Sequence, residues 1–248
     1  MGPAHHRGAL AIIALAGGGA HAGPALCKYS PSLCRALGVG DRIADLAAVA
    51  LTFDDGPHPR GTPATLEALR AAGVRATFFL VGEQVARRRA LASEIVAAGH
   101  VVGVHGHRHR NLLRLAPTQV RDDLLRAEAI IVHATGVAPE LYRPPLGVLT
   151  TAALLTARRR RWAPLLWTRW GRDWRSSATA ASIADEATAA LAGGDVVLLH
   201  DADHYSAPGS WERTVAALPR IIDRVDQAGL RFATPTCPQG PLMSAFVP

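Results

Sequence analysis

The chain alternates short apolar runs with longer segments of helical periodicity, and this alternation limits its fold more than any other feature. Seven runs read as strands: residues 48–53, 75–81, 101–104, 141–142, 163–167, 196–199 and 230–233. Strands that alternate with helices of ten or more residues pair in parallel through right-handed crossovers. Since no break in composition divides the 248 residues, the sequence predicts one α/β domain rather than two small ones.

Ionisable residues follow five of these predicted strands: Asp54 and Asp55, His105, Arg143, Asp173, and His200. An open doubly wound sheet and a barrel both fit the alternation. Residues after many successive strands converge on one site only if the strand ends form a ring. We therefore predict a distorted (β/α) barrel of about seven strands, similar to a TIM barrel and either closed or incomplete.

The first predicted strand ends in two acids and a turn. Residues 48–53 are apolar or small, and Gly56-Pro57 prevents the strand from continuing. Because neighbouring residues on a strand point to opposite sides, Asp54 and Asp55 are expected to do different jobs, one binding a metal and the other handling protons. The alternative is an ordinary Asp-Gly-Pro turn.

The second chemical stretch is His105-Gly-His-Arg-His109. Two histidines four residues apart lie on one face of a helical turn, so His105 and His109 could hold one ion together with a carboxylate, while His107 would point elsewhere. Two imidazoles and one carboxylate leave an open coordination position, which is typical of a catalytic zinc site. An exposed histidine-rich loop without a ligand role is the alternative.

Five segments in order carry a family resemblance: Thr52-Phe-Asp-Asp-Gly-Pro57, His105-x-x-x-His109, Arg143-Pro-Pro-Leu-Gly147, Asp173-Trp174 and Leu198-Leu-His200. They resemble the ordered motifs of the polysaccharide deacetylase family, also called the NodB-homology domain or carbohydrate esterase family 4. The resemblance covers roughly residues 48–235. It implies a distorted β/α barrel with one divalent metal ion, usually Zn²⁺, with Co²⁺ or Mn²⁺ as alternatives.

The resemblance also implies roles for individual residues. Asp55, His105 and His109 would be the metal ligands. Asp54 would be the general base, and Arg143 would orient it.

The remaining implied roles concern the leaving group and the acetyl group. His200 would protonate the leaving amine, and Asp173 would keep His200 charged because a neighbouring anion favours imidazolium. The backbone N–H of Leu146 would stabilise the oxyanion. Trp174 and Leu198 would form the apolar wall that receives the acetyl methyl.

Two positions depart from the family pattern. Many members have an aromatic residue at the position of Leu146, and the fourth motif usually begins with an acid where this chain has Trp170. With Trp162 and Trp167 nearby, Trp170 could form a sugar-stacking surface or fill the core.

The expected function is a metal-dependent hydrolase that removes acetyl groups, N-acetyl of GlcNAc-type residues first among them, from a cell-surface or extracellular polysaccharide. The alternatives are hydrolysis of a small non-glycan amide and a non-catalytic glycan-binding protein, although the latter should have lost a base, ligand or acid. A glycosidase is disfavoured, because it needs two carboxyls facing each other across a bond.

The net charge of +7 is almost wholly due to arginine and fits an anionic wall polymer or a membrane surface. The chain has no zinc-finger spacing or interleaved aromatic and basic pattern, so no nucleic-acid partner is expected. We expect a monomer with an acetylated glycan as its partner.

The N-terminus resembles an export signal, since His5, His6 and Arg7 precede an apolar run at residues 8–18 and then Ala20-His21-Ala22. Residues 1–22 are therefore a predicted signal peptide or anchor, and an exported protein is expected; a plain extension is the alternative. Residues 23–47 are a predicted linker or lead segment, 48–235 the catalytic domain and 236–248 a tail.

The chain has three cysteines. Cys27 and Cys34 could pair in an oxidising compartment, or all three thiols could be reduced. Cys237 makes the count odd, so the sequence does not choose between these alternatives.

Overall fold

The computed structural model describes residue 19 and residues 21–236 of the chain. Its strands are Ala48–Asp54 (β1), Thr77–Leu80 (β2), Val101–Val104 (β3), Leu141–Tyr142 (β4), Ala163–Pro164 (β5), Arg169–Trp170 (β6), Val196–His200 (β7) and Arg231–Phe232 (β8). Its α-helices are Pro31–Ala36 (α1), Gly61–Ala71 (α2), Gly82–Arg87 (α3), Arg89–Ala97 (α4), Pro117–Thr135 (α5), Thr151–Arg160 (α6), Ala180–Ala187 (α7) and Ser210–Gln227 (α8). Short 3-10 helices lie at Gly23–Tyr29, Leu112–Arg114 and Pro145–Gly147.

The strands form a curled half-barrel surrounded by helices. Their order is β5-β4-β3-β2-β1-β7-β6, with β8 paired to β1, and every pairing between these strands is parallel. From β1 to β5 each strand pairs with the next one in the chain, and on the other side of β1 come β7 and then β6, which is the order around a (β/α) barrel. The two edges of the sheet, β5 and β6, are not paired with each other in the described part of the chain. The prediction of a distorted and incomplete barrel is confirmed.

Strand β1 lies at the centre of the sheet and is buried along its whole length. Its side chains alternate between two cores: Leu51 and Phe53 pack in the large core against the helices, and Ala48 and Ala50 pack in a small core inside the half-barrel. The same alternation directs Asp54 inwards. Asp54 is in register with His200 of β7, so both residues lie at one rim of the half-barrel.

Two local predictions were wrong, and one strand and one helix were not predicted. The strand predicted at 163–167 has only the two residues of β5, and Asp173 follows β6, a strand that the sequence did not reveal because Arg169-Trp170 is not an apolar run. Helix α3 was also not predicted. Residues 105–109 form a loop rather than a helical turn, since Gly106 adopts a φ of +81° directly after β3.

The lead segment, defined as residues 23–47, lies across the gap between the two edges of the half-barrel. Gly40 pairs with Leu165 directly after β5, and Arg42 pairs with Asp195 directly before β7. The Arg42 guanidinium and the Asp195 carboxylate are 3.0 Å apart. This packing joins the segment to the barrel at both sides of the gap.

Cys27 and Cys34 of the lead segment are buried and free, and the Cys34 thiol donates to the Cys27 carbonyl at 3.1 Å. The alternative in which they pair is therefore wrong for this structure. Cys237, most of the predicted export signal and nearly all of the predicted tail lie outside the described residues. Within the described ranges, the structure has no helix long and apolar enough to cross a membrane.

Candidate active site

Asp55, His105 and His109, here called the metal triad, converge at the rim of the half-barrel. Asp55 Oδ1 lies 3.6 Å from His105 Nε2 and 3.5 Å from His109 Nε2. Ligand bonds of about 2.1 Å at tetrahedral angles place two ligand atoms about 3.4 Å apart. The observed separations therefore fit a single divalent metal held by two imidazoles and one carboxylate.

The electrostatics of the metal triad also fit a cation. Burial lowers the pKa of His105 and lowers the pKa of His109 to about 3, so both rings are neutral ligands at pH 7. Burial raises the pKa of Asp55 to about 7, and its Oδ1 atom is buried without a hydrogen-bond partner among the described residues. A buried carboxyl oxygen without a partner is unfavourable, and a bound metal ion would be a suitable partner for it.

A contact with Arg143, the residue after β4, orients His105. Its Nδ1 lies 2.9 Å from the carbonyl oxygen of Arg143. Because a carbonyl only accepts, Nδ1 carries the proton and Nε2 directs its lone pair towards Asp55. A hydrogen bond of this kind is usual behind a metal-binding histidine.

Asp54, the last residue of β1, and Asp55, the residue after it, do not point to opposite sides as the strand pattern predicted. Asp54 Oδ2 lies 3.7 Å and Asp55 Oδ1 3.6 Å from the same atom, His105 Nε2. The reason is a φ of +79° at Asp55, which ends the alternation of the strand. Asp54 and Asp55 thus reach one site while keeping different partners.

Arg143 is fully buried and holds Asp54 from the side away from the metal triad. One guanidinium nitrogen, Nη1, donates to Asp54 Oδ1 and to the Thr52 hydroxyl, both at 2.8 Å. The other two nitrogens donate to the carbonyls of Leu165 and Leu166 at 3.0 Å. With all three nitrogens bonded, the guanidinium has one orientation, and it sets that of the Asp54 carboxylate.

His200 at the end of β7 is coupled to Asp173. Its Nδ1 lies 2.8 Å from Asp173 Oδ1, and its backbone N–H donates to Asp173 Oδ2 at 2.7 Å. The Thr214 hydroxyl on α8 donates to the same Oδ2 at 2.7 Å. Burial by itself would lower the pKa of His200, but the charge and hydrogen bond of Asp173 raise it to about 10. His200 is therefore an imidazolium at neutral pH, with Nε2 4.0 Å from Asp55.

The three predicted substrate contacts lie around this centre. The Trp174 ring stands edge-on to the His200 ring, with 5.7 Å between centroids. Leu198 is buried two residues before His200 and so faces the same side of β7. Leu146 is half exposed in the turn after β4, three residues beyond Arg143, and has a φ of +60°.

Two residues near the centre were not predicted. Asp201 is fully buried directly after His200, accepts a hydrogen bond from the Thr62 hydroxyl and has its pKa raised to about 7 by burial. The Tyr205 ring stacks on the His109 ring at 4.5 Å. An acid directly beside the predicted catalytic histidine was the available signal for Asp201, whereas no sequence pattern indicates Tyr205.

Other histidines behave differently from the metal triad. His107, which was expected to point away from the two ligand histidines, is buried. His58, Asp203 and His204 form a second cluster, with His58 Nε2 3.2 Å from Asp203 Oδ1. Because His58 Nδ1 accepts the backbone N–H of Gly61 at 2.8 Å, Nε2 carries the proton and donates to Asp203. His58 therefore caps the start of α2 and has no lone pair for a metal.

Comparisons with known proteins identify the family of the chain. The family model described as polysaccharide deacetylase matches residues 43–161. A peptidoglycan-N-acetylglucosamine deacetylase of Bacillus cereus is 34% identical over 76% of this chain, which spans 66% of that relative, just under two thirds. A chitooligosaccharide deacetylase of a Bradyrhizobium species is 34% identical over 84% of this chain and 97% of its own length.

A solved structure is also similar. The crystal structure of the Bc1960 peptidoglycan N-acetylglucosamine deacetylase superposes with a TM-score of 0.76 at 30% identity, covering 82% of this chain and 93% of that one. Family model, relatives and fold agree along most of the chain, which therefore belongs to the polysaccharide deacetylase family.

Proposed function

We propose that this chain is a metal-dependent hydrolase that removes the N-acetyl group of GlcNAc-type residues in a cell-surface or extracellular polysaccharide. The observation that carries the proposal is that both Asp54, held by Arg143, and His200, held by Asp173, reach the metal triad. The two curated relatives, named for peptidoglycan-N-acetylglucosamine and for chitooligosaccharide, support an N-acetylated glycan as the substrate class.

The metal triad would hold the ion. Its two imidazoles and one carboxylate suit Zn²⁺, with Co²⁺ or Mn²⁺ as alternatives. A bound ion of this kind supplies a Lewis acid that polarises the acetyl carbonyl and lowers the pKa of a water molecule.

Asp54 and His200 supply the two proton transfers. The Asp54 carboxylate, oriented by Arg143, accepts the proton of the attacking water. The imidazolium of His200, held charged by Asp173, gives its proton to the amine that leaves. An acid and a base that both reach the metal triad suit amide hydrolysis, because the amine is a poor leaving group until it is protonated.

The remaining residues position the acetyl group. The backbone N–H of Leu146, in the turn after β4, stabilises the negative oxygen of the tetrahedral intermediate. Trp174 and Leu198 form the apolar wall against which the methyl rests. The substrate class lies outside the cytoplasm, so we also propose an exported, monomeric protein that contacts the cell wall.

The Asp54→Asn variant tests the proposal through acetate release from chitotetraose by Zn²⁺-loaded protein. The amide keeps the size of the side chain but cannot take a proton, so we expect kcat to fall by about 10² to 10⁴-fold. Asp122→Asn, an exposed acid on α5, is the matched control and should keep full activity. Undiminished acetate release by Asp54→Asn would show that the proposed base is wrong. No release by the wild type from chitin, peptidoglycan or xylan fragments with Zn²⁺, Co²⁺ or Mn²⁺ would refute the function.

The His109→Ala variant tests the metal site separately. Removal of one of three protein ligands should abolish stoichiometric Zn²⁺ binding, measured as metal content after dialysis. The exposed His133 on α5 provides the control variant His133→Ala, which should bind as much Zn²⁺ as the wild type. Equal zinc content in all three proteins would exclude His109 as a ligand.

A further inference from the structure

A cavity of about 280 Å³ lies between the lead segment and the β5–β6 edge region of the half-barrel. The lead segment forms one wall with Tyr29, Pro31 and Asp41, and the opposite wall consists of Leu166, Trp167 and Trp170. Its volume is close to the lower limit for small-molecule sites in proteins, which is about 300 Å³. The cavity therefore has room for one small ring rather than for an extended ligand.

The walls of this cavity present aromatic surface to solvent. Tyr29 is 80% exposed although it belongs to a segment that packs on the barrel. Trp167 and Trp170 are partly exposed, and their ring centroids are 6.1 Å apart. Aromatic rings with a polar edge suit a ligand that has both apolar and hydroxylated surface, as a sugar ring does. The Asp41 carboxylate can accept hydrogen bonds from hydroxyl groups of such a ligand.

Two sets of side-chain contacts link the cavity walls to the active site. The Trp170 ring lies 5.2 Å from the Trp174 ring, which lies 5.7 Å from the ring of His200, so an aromatic row runs from the cavity to the proposed acid. On the other side, the Trp167 ring packs on Gly147, where an added Cβ would lie 2.8 Å from it. Gly147 directly follows Leu146 in the turn after β4.

We infer that this cavity is a glycan subsite, occupied by a sugar ring of the same chain that lies beyond the ring being deacetylated. The inference rests on the proposed function, and it specifies that the lead segment binds a second sugar ring of the substrate. The row Trp167–Trp170–Trp174 would guide the glycan, and Tyr29 would hold the ring in the cavity. Chains long enough to reach the cavity are therefore preferred over short ones.

The Tyr29→Ala variant tests the subsite with substrates of two lengths. We expect the ratio of KM for chitopentaose to KM for chitobiose to rise about tenfold, equivalent to about 1.4 kcal/mol of binding, with kcat for chitopentaose retained. Tyr29→Phe keeps the ring and should keep most of the wild-type ratio. Leu26→Ala is the control, since Leu26 is exposed on the same 3-10 helix outside the cavity. An unchanged ratio in Tyr29→Ala would overturn the inference.

A binding experiment separates failure of the subsite from failure of the reaction. Chitopentaose is titrated against Asp54→Asn protein while tryptophan fluorescence is recorded, because Trp167 and Trp170 line the cavity. Saturable quenching that the Tyr29→Ala/Asp54→Asn protein loses supports the subsite even if the wild type releases no acetate. Quenching of equal affinity in both proteins, or no quenching in either, overturns the subsite even if acetate release is normal.

Discussion

Asp173 uses both carboxylate oxygens to fix the position of His200 and to keep its imidazole protonated. One oxygen accepts from the imidazole and the other from the His200 backbone N–H and the Thr214 hydroxyl. A protonated histidine in a buried site exists only because this anion offsets the loss of water. The proposed acid is thus controlled by a residue 27 positions away in the sequence.

Replacing Asp173 should move the pH dependence of the reaction. An acid works while protonated, so the rate falls as pH rises through its pKa, and Asp173→Asn should lower the pKa of His200 and shift this alkaline limb to lower pH. The pH profile of kcat/KM for chitotetraose measures the shift. Asp185→Asn, at an exposed position on α7, should leave the profile unchanged. An alkaline limb at the wild-type pH in Asp173→Asn would mean that His200 is not the acid.

A second prediction at the residue scale concerns Arg143. Its side chain is the largest fully buried one of the described residues, and its partner Asp54 is also buried. Arg143→Met leaves the Asp54 carboxylate in the interior without its cation, and we expect unfolding free energy to fall by about 3 to 5 kcal/mol. Urea denaturation measures the loss. Arg70→Met, which breaks an exposed pair with Glu67, serves as the control and should be nearly neutral. Recovery of stability in Arg143→Met/Asp54→Asn would confirm this cause; a single variant as stable as wild type would contradict it.

The turn after β4 is the element that links the proposed active site to the cavity beside the lead segment. Leu146 and Gly147 both adopt positive φ, +60° and +68°, so the chain reverses sharply and its backbone lies against the Trp167 ring. A left-handed conformation costs about 1 to 2 kcal/mol for a residue with a Cβ, and Leu146 bears that cost. Any residue other than glycine at position 147 would add a second conformational cost of this kind, and its Cβ would clash with the Trp167 ring.

The Gly147→Ala variant should therefore reduce acetate release. Its Cβ would lie 2.8 Å from the Trp167 ring, so the turn that holds the Leu146 N–H has to shift. Gly136→Ala is a matched control, because Gly136 ends α5 with a φ of +72° but has no atom near an added Cβ. Both variants should lose a similar amount of stability from backbone strain, whereas only Gly147→Ala should lose kcat. Equal kcat in the two variants would show that the turn tolerates the shift.

At the scale of the whole molecule, the lead segment is part of the barrel rather than a tether to it. Ile43 packs with Leu165 and Val196 in the small core inside the half-barrel, and Val39 packs in the large core. A curled sheet with two unpaired edges would leave this interior open to water. The lead segment covers it where β5 and β6 fail to pair.

Removal of one of its buried side chains should therefore destabilise the entire domain. Ile43→Ala should cost about 2 to 5 kcal/mol of unfolding free energy, as for other buried Ile→Ala changes, with one cooperative transition. Leu46→Ala, at an exposed leucine of the same segment, should change stability little. Thermal and urea unfolding followed by circular dichroism would check both. An Ile43→Ala protein as stable as wild type would indicate that the segment is dispensable for the barrel.

Much of the proposed chemistry could be read from the chain because its residues lie at strand ends or in ordered motifs. The alternation of strands and helices predicted the barrel, and the barrel brings Asp54, Arg143 and His200 to one rim. Local periodicity is enough for this, since parallel strands carry their last residues to the same side of a sheet.

Only the tertiary structure decided the features that depend on contacts between distant segments. Strand β6 has no apolar run, and it forms through pairing with β7, where Trp170 is in register with Leu198. Three other features depend on contacts with residues that are distant in the sequence, so local patterns do not predict them. They are the left-handed turn at Asp55, the stacking of Tyr205 on His109 and the cavity beside Tyr29. The sequence by itself determined which side chains can do the chemistry; long-range packing decided how they are oriented and which cavity lies beside them.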